Sequence, residues 1–205
     1  MTHKARILVV GTLNARKCRE MEELLAGLPL EVRPLSAFGV IEPAPETGRT
    51  FQENAAAKAL AYARTTGQWC VADDSGLEIP ALAGRPGIYS SRWAGQEGND
   101  ELNNRKLLDE LRAVPRERWQ ARYVCVAALA SPEKVLLTAR GQCPGVITDR
   151  PAGSGGFGYD PYFYLPERCC TMAELTPQEK HALSHRGRAL RDLREKLQEL
   201  LCLQG

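Results

Sequence analysis

The chain has 205 residues, of which 43% are hydrophobic and 25% are charged, and its formal net charge at pH 7 is +2. This composition is typical of an ordinary soluble globular protein with a sizeable core. The small net charge and the lack of a long basic run argue against non-specific binding to nucleic acid, and no apolar stretch approaches the ~20 residues that a membrane span needs.

The cysteines and the N-terminus bear on where the protein works. There are seven cysteines, an odd number, and no two of them form a Cys-x-x-Cys pair. Neither a disulfide framework nor a zinc site is therefore expected, and a reducing compartment fits. Residues 1–6 lead into a short strand-like run and not into the apolar core of a secretory signal. We expect a cytoplasmic protein that forms a single domain over residues 1–205.

The first segments of the chain alternate between strand and helix patterns. Residues 6–10 are a compact β-branched run and predict a buried strand. After a turn at residues 11–14, a helix is predicted whose apolar face consists of Met21, Leu24, Leu25 and Leu28. Pro29 is expected to end this helix, and residues 30–33 alternate as a second strand.

A second helix is signalled after a surface loop at residues 35–49, which is rich in Pro, Gly and Glu. Thr50 and Glu53 have the spacing of a capping box. The alanine-rich run at residues 54–64 then continues the helix, and Gly67 closes it.

The next strand ends in acidic residues. The apolar run at residues 69–72 predicts a buried strand that stops at Asp73 and Asp74, where Ser75 and Gly76 permit a turn. Because successive side chains of a strand point to opposite faces, both aspartates can serve one site only if the chain turns between them. Two carboxylates there could hold Mg²⁺ and activate a water, and the alternative is an Asx-type turn that merely closes the strand.

The second half of the chain contains a hairpin between helices. Residues 99–114 predict an amphipathic helix, and residues 121–130 and 135–143 predict an antiparallel hairpin because only four residues separate them. Residues 146–148 suggest a further short strand.

The last part of the sequence also has the patterns of helices. Thr176 and Glu179 form a second capping box, with Pro177 at the first helical position. The inward face of a long C-terminal helix is made of Leu190, Leu193, Leu197, Leu200 and Leu201. Alternating helices and strands followed by a hairpin predict an α/β protein with a mixed β-sheet.

Residues 11–18 lie between a strand and a helix, where phosphate loops occur. The spacing nearly matches Gly-x-x-x-x-Gly-Lys-Ser/Thr, but Arg16 replaces the second glycine and Cys18 replaces the metal-binding hydroxyl. A P-loop nucleotide hydrolase is therefore not expected. Thr12, Asn14 and Lys17, with the helix N-terminus, could still hold phosphate, or Asn14 could simply cap the helix.

The predicted second helix offers another phosphate ligand. Asn54 and Lys58 share one helix face, and a lysine beside a carboxylate pair could meet a phosphate. The alternative is that Glu53 only caps the helix and that Lys58 is solvated.

Residues 151–161 form a glycine-rich loop that contains Phe157 and Tyr159. Glycines let a backbone approach a flat ligand closely, and aromatic rings offer a stacking face. The alternative is a tight turn anchored by aromatic packing.

The segment at residues 179–187 contains Lys180, Ser184, His185 and Arg186. Ser184 can cap the last helix and leave His185 and Arg186 at its positive end, where anions gather. The alternative is an ordinary polar surface. Taken together, the segments supply a carboxylate pair, dispersed cations, an aromatic shelf and helix N-termini, which is what a nucleotide polyphosphate with Mg²⁺ requires.

Six ordered motifs resemble the non-canonical purine nucleoside triphosphate pyrophosphatases, also called inosine triphosphate pyrophosphatases, and in particular their bacterial branch. The resemblance covers nearly the whole chain. The motifs are Thr12-x-Asn14-x-x-Lys17, Glu46-Thr47-Gly48-x-Thr50-Phe51-x-Glu53-Asn54-Ala55-x-x-Lys58-Ala59, Ala72-Asp73-Asp74-Ser75-Gly76-Leu77, Pro86-Gly87-Ile88-Tyr89-Ser90-x-Arg92, Gly155-Gly156-Phe157-Gly158-Tyr159-Asp160-Pro161 and Ser184-His185-Arg186-Gly187.

The resemblance implies a reaction and an architecture. The reaction is the Mg²⁺-dependent hydrolysis of dITP, ITP and XTP to the monophosphate and pyrophosphate, which cleanses the nucleotide pool. The architecture is an elongated mixed sheet flanked by helices in two lobes, with the substrate in the cleft and with two copies of the chain in a homodimer. No stable nucleic-acid or membrane partner is expected.

The resemblance also implies roles for individual residues. Asp74 would be the proton acceptor and a metal ligand, with Asp73 in support. Many relatives carry two acidic residues before Thr-Gly; here Pro45 takes the first position, so Glu46 becomes the candidate second metal ligand. Lys58 and Arg92 would join the phosphate side, and the other substrate ligands would be Thr12, Asn14, Lys17, Ser75, Phe157, Gly158, Tyr159, Asp160, Lys180, His185 and Arg186.

The mechanism that follows is hydrolysis at the α-phosphorus. Asp73 or Asp74 would orient the attacking water, and Lys17, Lys58 and Mg²⁺ would neutralise the triphosphate. Donors near His185 and Arg186 would donate to the 6-oxo group of hypoxanthine or xanthine, and the 6-amino group of adenine would leave them unpaired. One alternative is a non-catalytic nucleotide sensor or RNA-binding module on the same fold, and another is a pyrophosphatase for other nucleotides, such as modified pyrimidines.

Overall fold

Seven strands form one mixed sheet in the computed structural model, which describes residues 6–39 and 41–203. The strands are β1 (Ile7–Val10), β2 (Glu31–Pro34), β3 (Trp69–Glu78), β4 (Gln120–Ala130), β5 (Val135–Ile147), β6 (Phe163–Leu165) and β7 (Cys170–Thr171). Their order in the sheet is β2-β1-β3-β4-β5-β6-β7. β1 pairs in parallel with β2 and β3, whereas β6 pairs antiparallel with β5 and β7. The predicted mixed sheet is therefore confirmed.

The α-helices of the described residues are α1 (Ala15–Leu25), α2 (Phe51–Thr66), α3 (Asp100–Leu111), α4 (Pro177–Leu183) and α5 (His185–Cys202). Each lies where the sequence predicts a helix. Across residues 6–39 and 41–203, none of them has the length and apolar character needed to cross a bilayer. The interpretation of the N-terminus concerns mainly residues 1–5, which lie outside the described residues.

The chain divides into two compact units. Unit 1 comprises the described residues up to Asp74, residues 125–141 and those from Arg186 onward, and unit 2 comprises residues 75–124 and 142–185. The long strands β3, β4 and β5 each contribute residues to both units.

Each unit has a hydrophobic core of its own. In unit 1 the apolar faces predicted for the first and last helices pack with β1, and the fully buried side chains include Leu8, Met21, Leu25, Leu190 and Leu193. In unit 2 the core joins the end of β3, α3 and β6, and its buried side chains include Leu77, Ile79, Leu107, Leu111 and Phe163. The 3.6-residue spacing of the helical leucines therefore predicted the correct inward faces.

β3 does not end where the sequence suggested. The strand continues through Asp73, Asp74 and Ser75 to Glu78, so the predicted turn at Ser75 and Gly76 is wrong. The glycine serves a close approach instead, because a side chain at Gly76 would meet the Gly87 carbonyl and the Ser90 hydroxyl at 2.4 Å. The Ser90 Oγ accepts the Leu77 N–H at 2.9 Å and fixes this approach.

Three further details of the helices and strands differ from the prediction. α1 ends at Leu25, before Pro29, since Gly27 takes the left-handed conformation with φ +79°. The expected separate strand at residues 146–148 is wrong, because β5 runs without a break to Ile147. Thr50 caps α2 as predicted, but the Glu53 carboxylate accepts the N–H of Arg49, so the reciprocal half of the capping box is shifted by one residue.

Candidate active site

Asp73 and Asp74 are the most deeply buried carboxylates on β3, with 2% and 5% of their surface exposed. They follow one another on an extended strand, so their side chains point to opposite faces of the sheet. The hydrogen-bond partners of the two carboxylates are accordingly different. A buried carboxylate without a compensating charge is costly, and each aspartate has cationic neighbours of its own.

The Asp74 carboxylate is held by the first turns of α2. The Asn54 amide donates to Asp74 Oδ2 at 3.0 Å, and Lys58 Nζ donates to Asp74 Oδ1 at 3.3 Å. The two donors are four residues apart on α2 and therefore share one helix face. Lys58 Nζ also contacts Glu46 Oε1 at 2.6 Å, so one ammonium joins two carboxylates.

Burial and charge act in opposite directions on this cluster. Burial raises the pKa of Asp74, and Lys58, Lys17 and the Asn54 amide only partly offset it, so the pKa lies above its usual range. For Lys58, burial acts to lower the pKa, but Asp74, Asp73 and Glu46 raise it more, and the net direction is upward. Lys58 therefore stays charged, and Asp74 is a stronger base than an exposed aspartate.

The Asp73 carboxylate is surrounded by donors from α1, β4 and α5. Arg186 contacts Asp73 Oδ2 through Nε at 3.3 Å and Nη2 at 3.2 Å, and Lys17 Nζ lies 3.4 Å from the same oxygen. The Cys125 thiol, which is fully buried, lies 3.6 Å away. Arg186 in turn contacts Glu20 Oε2 through Nη1 at 2.5 Å. These contacts fix the orientation of the Asp73 side chain.

The start of α1 supplies the predicted phosphate-side residues. The Asn14 Oδ1 accepts the N–H groups of Arg16 and Lys17 at 3.0 and 3.1 Å, and Thr12 Oγ1 accepts the Asn14 N–H at 3.2 Å. Asn14 is thus the helix cap that the sequence offered as the alternative. Those two amides are already used by the cap, so the Lys17 ammonium is the stronger candidate for binding an anion.

The glycine-rich segment in unit 2 surrounds the Asp160 carboxylate. Asp160 Oδ2 accepts the Phe157 N–H and the Lys180 ammonium, each at 2.9 Å. Lys180 Nζ also lies 4.8 Å from the centre of the Phe157 ring, within the range of a cation–π contact. Gly156 has φ +72°, and a side chain at that position would collide with the Asp160 carboxylate. Glycine is therefore required there.

Only one of the two aromatic rings in this segment is available for stacking. Tyr159 is 3% exposed, belongs to the hydrophobic core of unit 2, and donates its hydroxyl to the Ser90 carbonyl at 2.8 Å. The anchoring role offered as the alternative therefore fits Tyr159. Phe157 is partly exposed, so the predicted stacking surface narrows to this ring.

His185 is also placed by an aromatic residue. Its imidazole stacks on the Tyr123 ring with centroids 4.5 Å apart and an angle of 10° between the planes. Burial and the neighbouring Asp160 raise the pKa of Tyr123 well above its usual value. The phenol therefore stays neutral and can donate a hydrogen bond.

Ser75 and Arg92 are two further residues of the predicted site. Ser75 is partly exposed on β3, immediately after Asp74. Arg92 lies 3.7 Å from the Glu97 carboxylate and 5.5 Å from the centre of the Tyr89 ring, so its predicted phosphate role stays a prediction.

The donor set around Lys58 suits a hard divalent cation. Glu46 and Asp74 contact the same ammonium, so their oxygens already converge on one positive charge. In the part of the chain that the structure describes, no group of three or more His, Cys, Asp or Glu side chains could hold a metal. Mg²⁺ is commonly bound by one or two carboxylates plus substrate phosphates, so two carboxylates without a complete protein cage fit this ion.

The sequence assigned no role in the candidate site to four residues that the structure brings to it: Glu20, Asn54, Tyr123 and Cys125. Asn54 could have been included, because it lies one helical turn from Lys58 on the same face. Glu20 lies three residues after Lys17 on α1 and carries a similar, weaker signal. Tyr123 and Cys125 had none, since only the position of β4 in the sheet brings them to His185 and Asp73.

Comparison with known proteins gives consistent matches. The model of the Ham1 family matches residues 8–196. A dITP/XTP pyrophosphatase of Geobacillus kaustophilus is 47% identical over 198 residues, which is 97% of this chain and 97% of the relative. One from Geobacter sulfurreducens is 48% identical over 190 residues, covering 93% of this chain and 96% of the relative.

Solved structures agree with the sequence relatives. A HAM1 protein from Coxiella burnetii superimposes with a TM-score of 0.86 at 43% identity, over 95% of this chain and 99% of the other. A nucleoside-triphosphatase / dITP/XTP pyrophosphatase from Mycobacterium abscessus gives a TM-score of 0.73 at 44% identity, over 92% of this chain and 98% of the other.

The raised pKa of Asp74 predicts a cost in stability. Because the pKa in the folded state lies above the unfolded value of 3.8, ionised Asp74 opposes folding at neutral pH and ceases to do so once it is protonated in both states. We expect Asp74→Asn to raise the melting temperature at pH 7, and the difference from wild type to shrink toward zero as the pH falls below about 4.

The matched control is Asp192→Asn, which removes an exposed ion pair with Lys196 on α5. Exposed pairs contribute less than about 1 kcal/mol, so its melting temperature should follow wild type at every pH. A melting temperature of Asp74→Asn below wild type at pH 7 would mean that the ion pair with Lys58 outweighs burial.

Proposed function

The chain belongs to the Ham1 family, and from this membership we propose that it hydrolyses dITP, ITP and XTP to the nucleoside monophosphate and pyrophosphate. The relatives with the name dITP/XTP pyrophosphatase are matched over almost their whole length. The corresponding role in the cell is to remove deaminated purine nucleotides before they enter DNA or RNA.

The observation that carries the proposal is the pairing of buried Asp74 with Asn54 and Lys58. A protein that only bound nucleotides would gain nothing from this carboxylate, because it repels phosphate and is costly to bury. A hydrolase requires such a group, since the attacking water must lose a proton.

The proton acceptor is Asp74. Its raised pKa makes it a stronger base, while Asn54 and Lys58 keep its oxygens in place. Asp74 takes a proton from the water whose oxygen attacks the α-phosphorus, the bond from that phosphorus to the bridging oxygen breaks, and pyrophosphate leaves. Asp73 supports Asp74. The contacts of Asp73 with Arg186 and Lys17 hold these two cations in place beside the pair of aspartates.

The triphosphate is neutralised by the ammonium groups of Lys17 and Lys58, with Thr12, Asn14 and Ser75 as polar neighbours and Arg92 as a further cation. Glu46 and Asp74 would hold Mg²⁺ together with phosphate oxygens, and the ion, when bound, neutralises developing charge and lowers the pKa of a coordinated water. The convergence of both carboxylates on one cation supports this assignment.

The base is recognised by residues of the last third of the chain. Phe157 stacks on the purine, and the backbone of Gly158 and Tyr159 supports this ring. Lys180, His185 and Arg186 present donors to the 6-oxo group, with Asp160 orienting Lys180. An adenine 6-amino group would leave these donors unpaired, at a cost of about 1–3 kcal/mol.

The cellular setting belongs to the same proposal. We propose a cytoplasmic homodimer in which residues 1–205 act as one pyrophosphatase domain. All seven cysteines are free thiols, which supports a reducing compartment. The match of one family model to residues 8–196 supports a single functional domain.

A nucleotide panel tests the proposal. Pyrophosphate release is measured for ITP, XTP, GTP, ATP and a pyrimidine triphosphate, with and without Mg²⁺. We expect kcat/KM for ITP and XTP to exceed that for GTP and ATP by at least about tenfold, and no turnover without a divalent cation. Equal values for all purines would refute the selectivity, and nucleotide binding without pyrophosphate release would refute the enzyme assignment.

Asp74→Asn should lower kcat for ITP by about 10³-fold, because the amide cannot accept the proton. Melting curves check that the variant is folded, and Asp192→Asn serves as the Asp-to-Asn control with wild-type turnover. Wild-type kcat in Asp74→Asn would remove this residue from the mechanism.

Glu46→Gln should raise the Mg²⁺ concentration for half-maximal turnover by about tenfold, since a neutral amide is a poorer ligand for a hard cation. The matched control is Glu42→Gln, an exposed glutamate of the same loop, which should leave the Mg²⁺ dependence unchanged. An unchanged Mg²⁺ dependence in Glu46→Gln would exclude this residue as a ligand.

A further inference from the structure

α3 contacts the backbone of the aromatic segment in unit 2 through two side chains. Asp100 Oδ2 accepts the Gly158 N–H at 2.9 Å, and Asn104 Nδ2 donates to the Gly158 carbonyl at 2.9 Å. Both polar groups of one peptide residue are thus bound by side chains that lie four residues apart on one helix face. We call Asp100 and Asn104 the Gly158 clamp.

The clamp binds the backbone at a glycine, the residue type that restricts the backbone dihedral angles least. Gly158 has φ +65°, a conformation that glycine adopts without a penalty but that it does not hold by itself. Its neighbours are Phe157, the ring assigned to stacking, and Tyr159, which is anchored by its hydroxyl to Ser90. On the Phe157 side of this segment, the Phe157 N–H is bound to Asp160 and the Gly155 N–H is bound to the Ala173 carbonyl.

The side-chain amide of Asn104 is buried and, within residues 6–39 and 41–203, only its Nδ2 is hydrogen-bonded. It is 7% exposed, and its Oδ1 has no hydrogen-bond partner among the residues that the structure describes. The adjacent Asn103 is 2% exposed and uses both ends of its amide, since Oδ1 accepts the Ala94 N–H and Nδ2 donates to the Ser91 carbonyl. A buried amide that is only half satisfied is not explained by stability alone.

We propose that Asp100 and Asn104 are positioning residues for base selection: by holding both backbone groups of Gly158, they fix the Phe157 ring and the Asp160–Lys180 pair against the purine. This inference rests on the proposed function. It adds two residues of α3 that touch neither substrate nor metal and act only through Gly158.

The test compares neighbouring asparagines. In Asn104→Ala and Asn104→Leu, the ratio of kcat/KM for ITP to that for GTP should fall about fivefold, the effect of one lost hydrogen bond. The change should be in KM, with kcat for ITP within about twofold of wild type, because the groups assigned to the chemistry are on other elements. The Leu variant fills the volume of the amide, so it should keep a melting temperature near wild type.

Asn103→Leu is the matched control. It removes two satisfied hydrogen bonds of a neighbouring, likewise buried side chain on the same helix, so the melting temperature should fall while the ITP-to-GTP ratio stays within about twofold of wild type. Asp100→Asn keeps an acceptor oxygen for the Gly158 N–H and should behave like wild type, whereas Asp100→Ala should lower the ratio as the Asn104 variants do.

A readout that needs no activity accompanies the kinetics. Amide hydrogen exchange of residues 156–160 should accelerate in Asn104→Ala and Asp100→Ala and stay unchanged in Asn103→Leu. Wild-type ratios together with wild-type exchange in the Asn104 and Asp100 variants would overturn the inference. A wild-type enzyme that does not release pyrophosphate from ITP would overturn the proposed function instead, and the exchange experiment would still decide whether the clamp exists.

Discussion

The structure depends on placing two consecutive carboxylates in the interior of one extended strand. Asp73 and Asp74 point to opposite faces of β3, and the cations that contact them come from different helices. α2 provides Asn54 and Lys58 for Asp74. α1 and α5 provide Lys17 and Arg186 for Asp73. The helices of this unit are therefore arranged around the charges of the strand as well as around its apolar side chains.

The two aspartates are consequently held to different degrees. Asp73 lies against a guanidinium, an ammonium and a thiol, and Glu20 holds that guanidinium from its other side. Asp74 has an amide and an ammonium that it shares with Glu46, and burial raises its pKa. The contrast separates a carboxylate that organises cations from one that can accept a proton and contribute to binding a divalent ion. Neighbouring residues of the same type thus have different surroundings, which supports the different roles proposed for them.

In unit 2, side chains likewise bind the polar backbone groups of the glycine-rich segment. The glycine-rich segment has little regular structure, yet its amides are bound by Asp160 and Asp100, and one of its carbonyls is bound by Asn104. Tyr159 fastens one end of the segment in the hydrophobic core, while Phe157 stays partly exposed. A segment held in this way can present a ring and a charged pair in a fixed geometry, which selection between similar bases requires.

The sequence by itself determined the helices, the inward faces of α1 and α5 and the mixed sheet, and it named most of the polar residues of the candidate site. Those features follow from local periodicity, from caps such as Thr50 and Thr176, and from ordered motifs. Tertiary structure alone decided that β3 runs on past Asp74, that Tyr159 is an anchor, and that Cys125 and Arg186 meet Asp73. Arg186 is 113 residues from Asp73 in sequence. Periodicity shows which face of a helix or strand is apolar. Strand order and long-range packing decide which polar side chains from different elements come into contact.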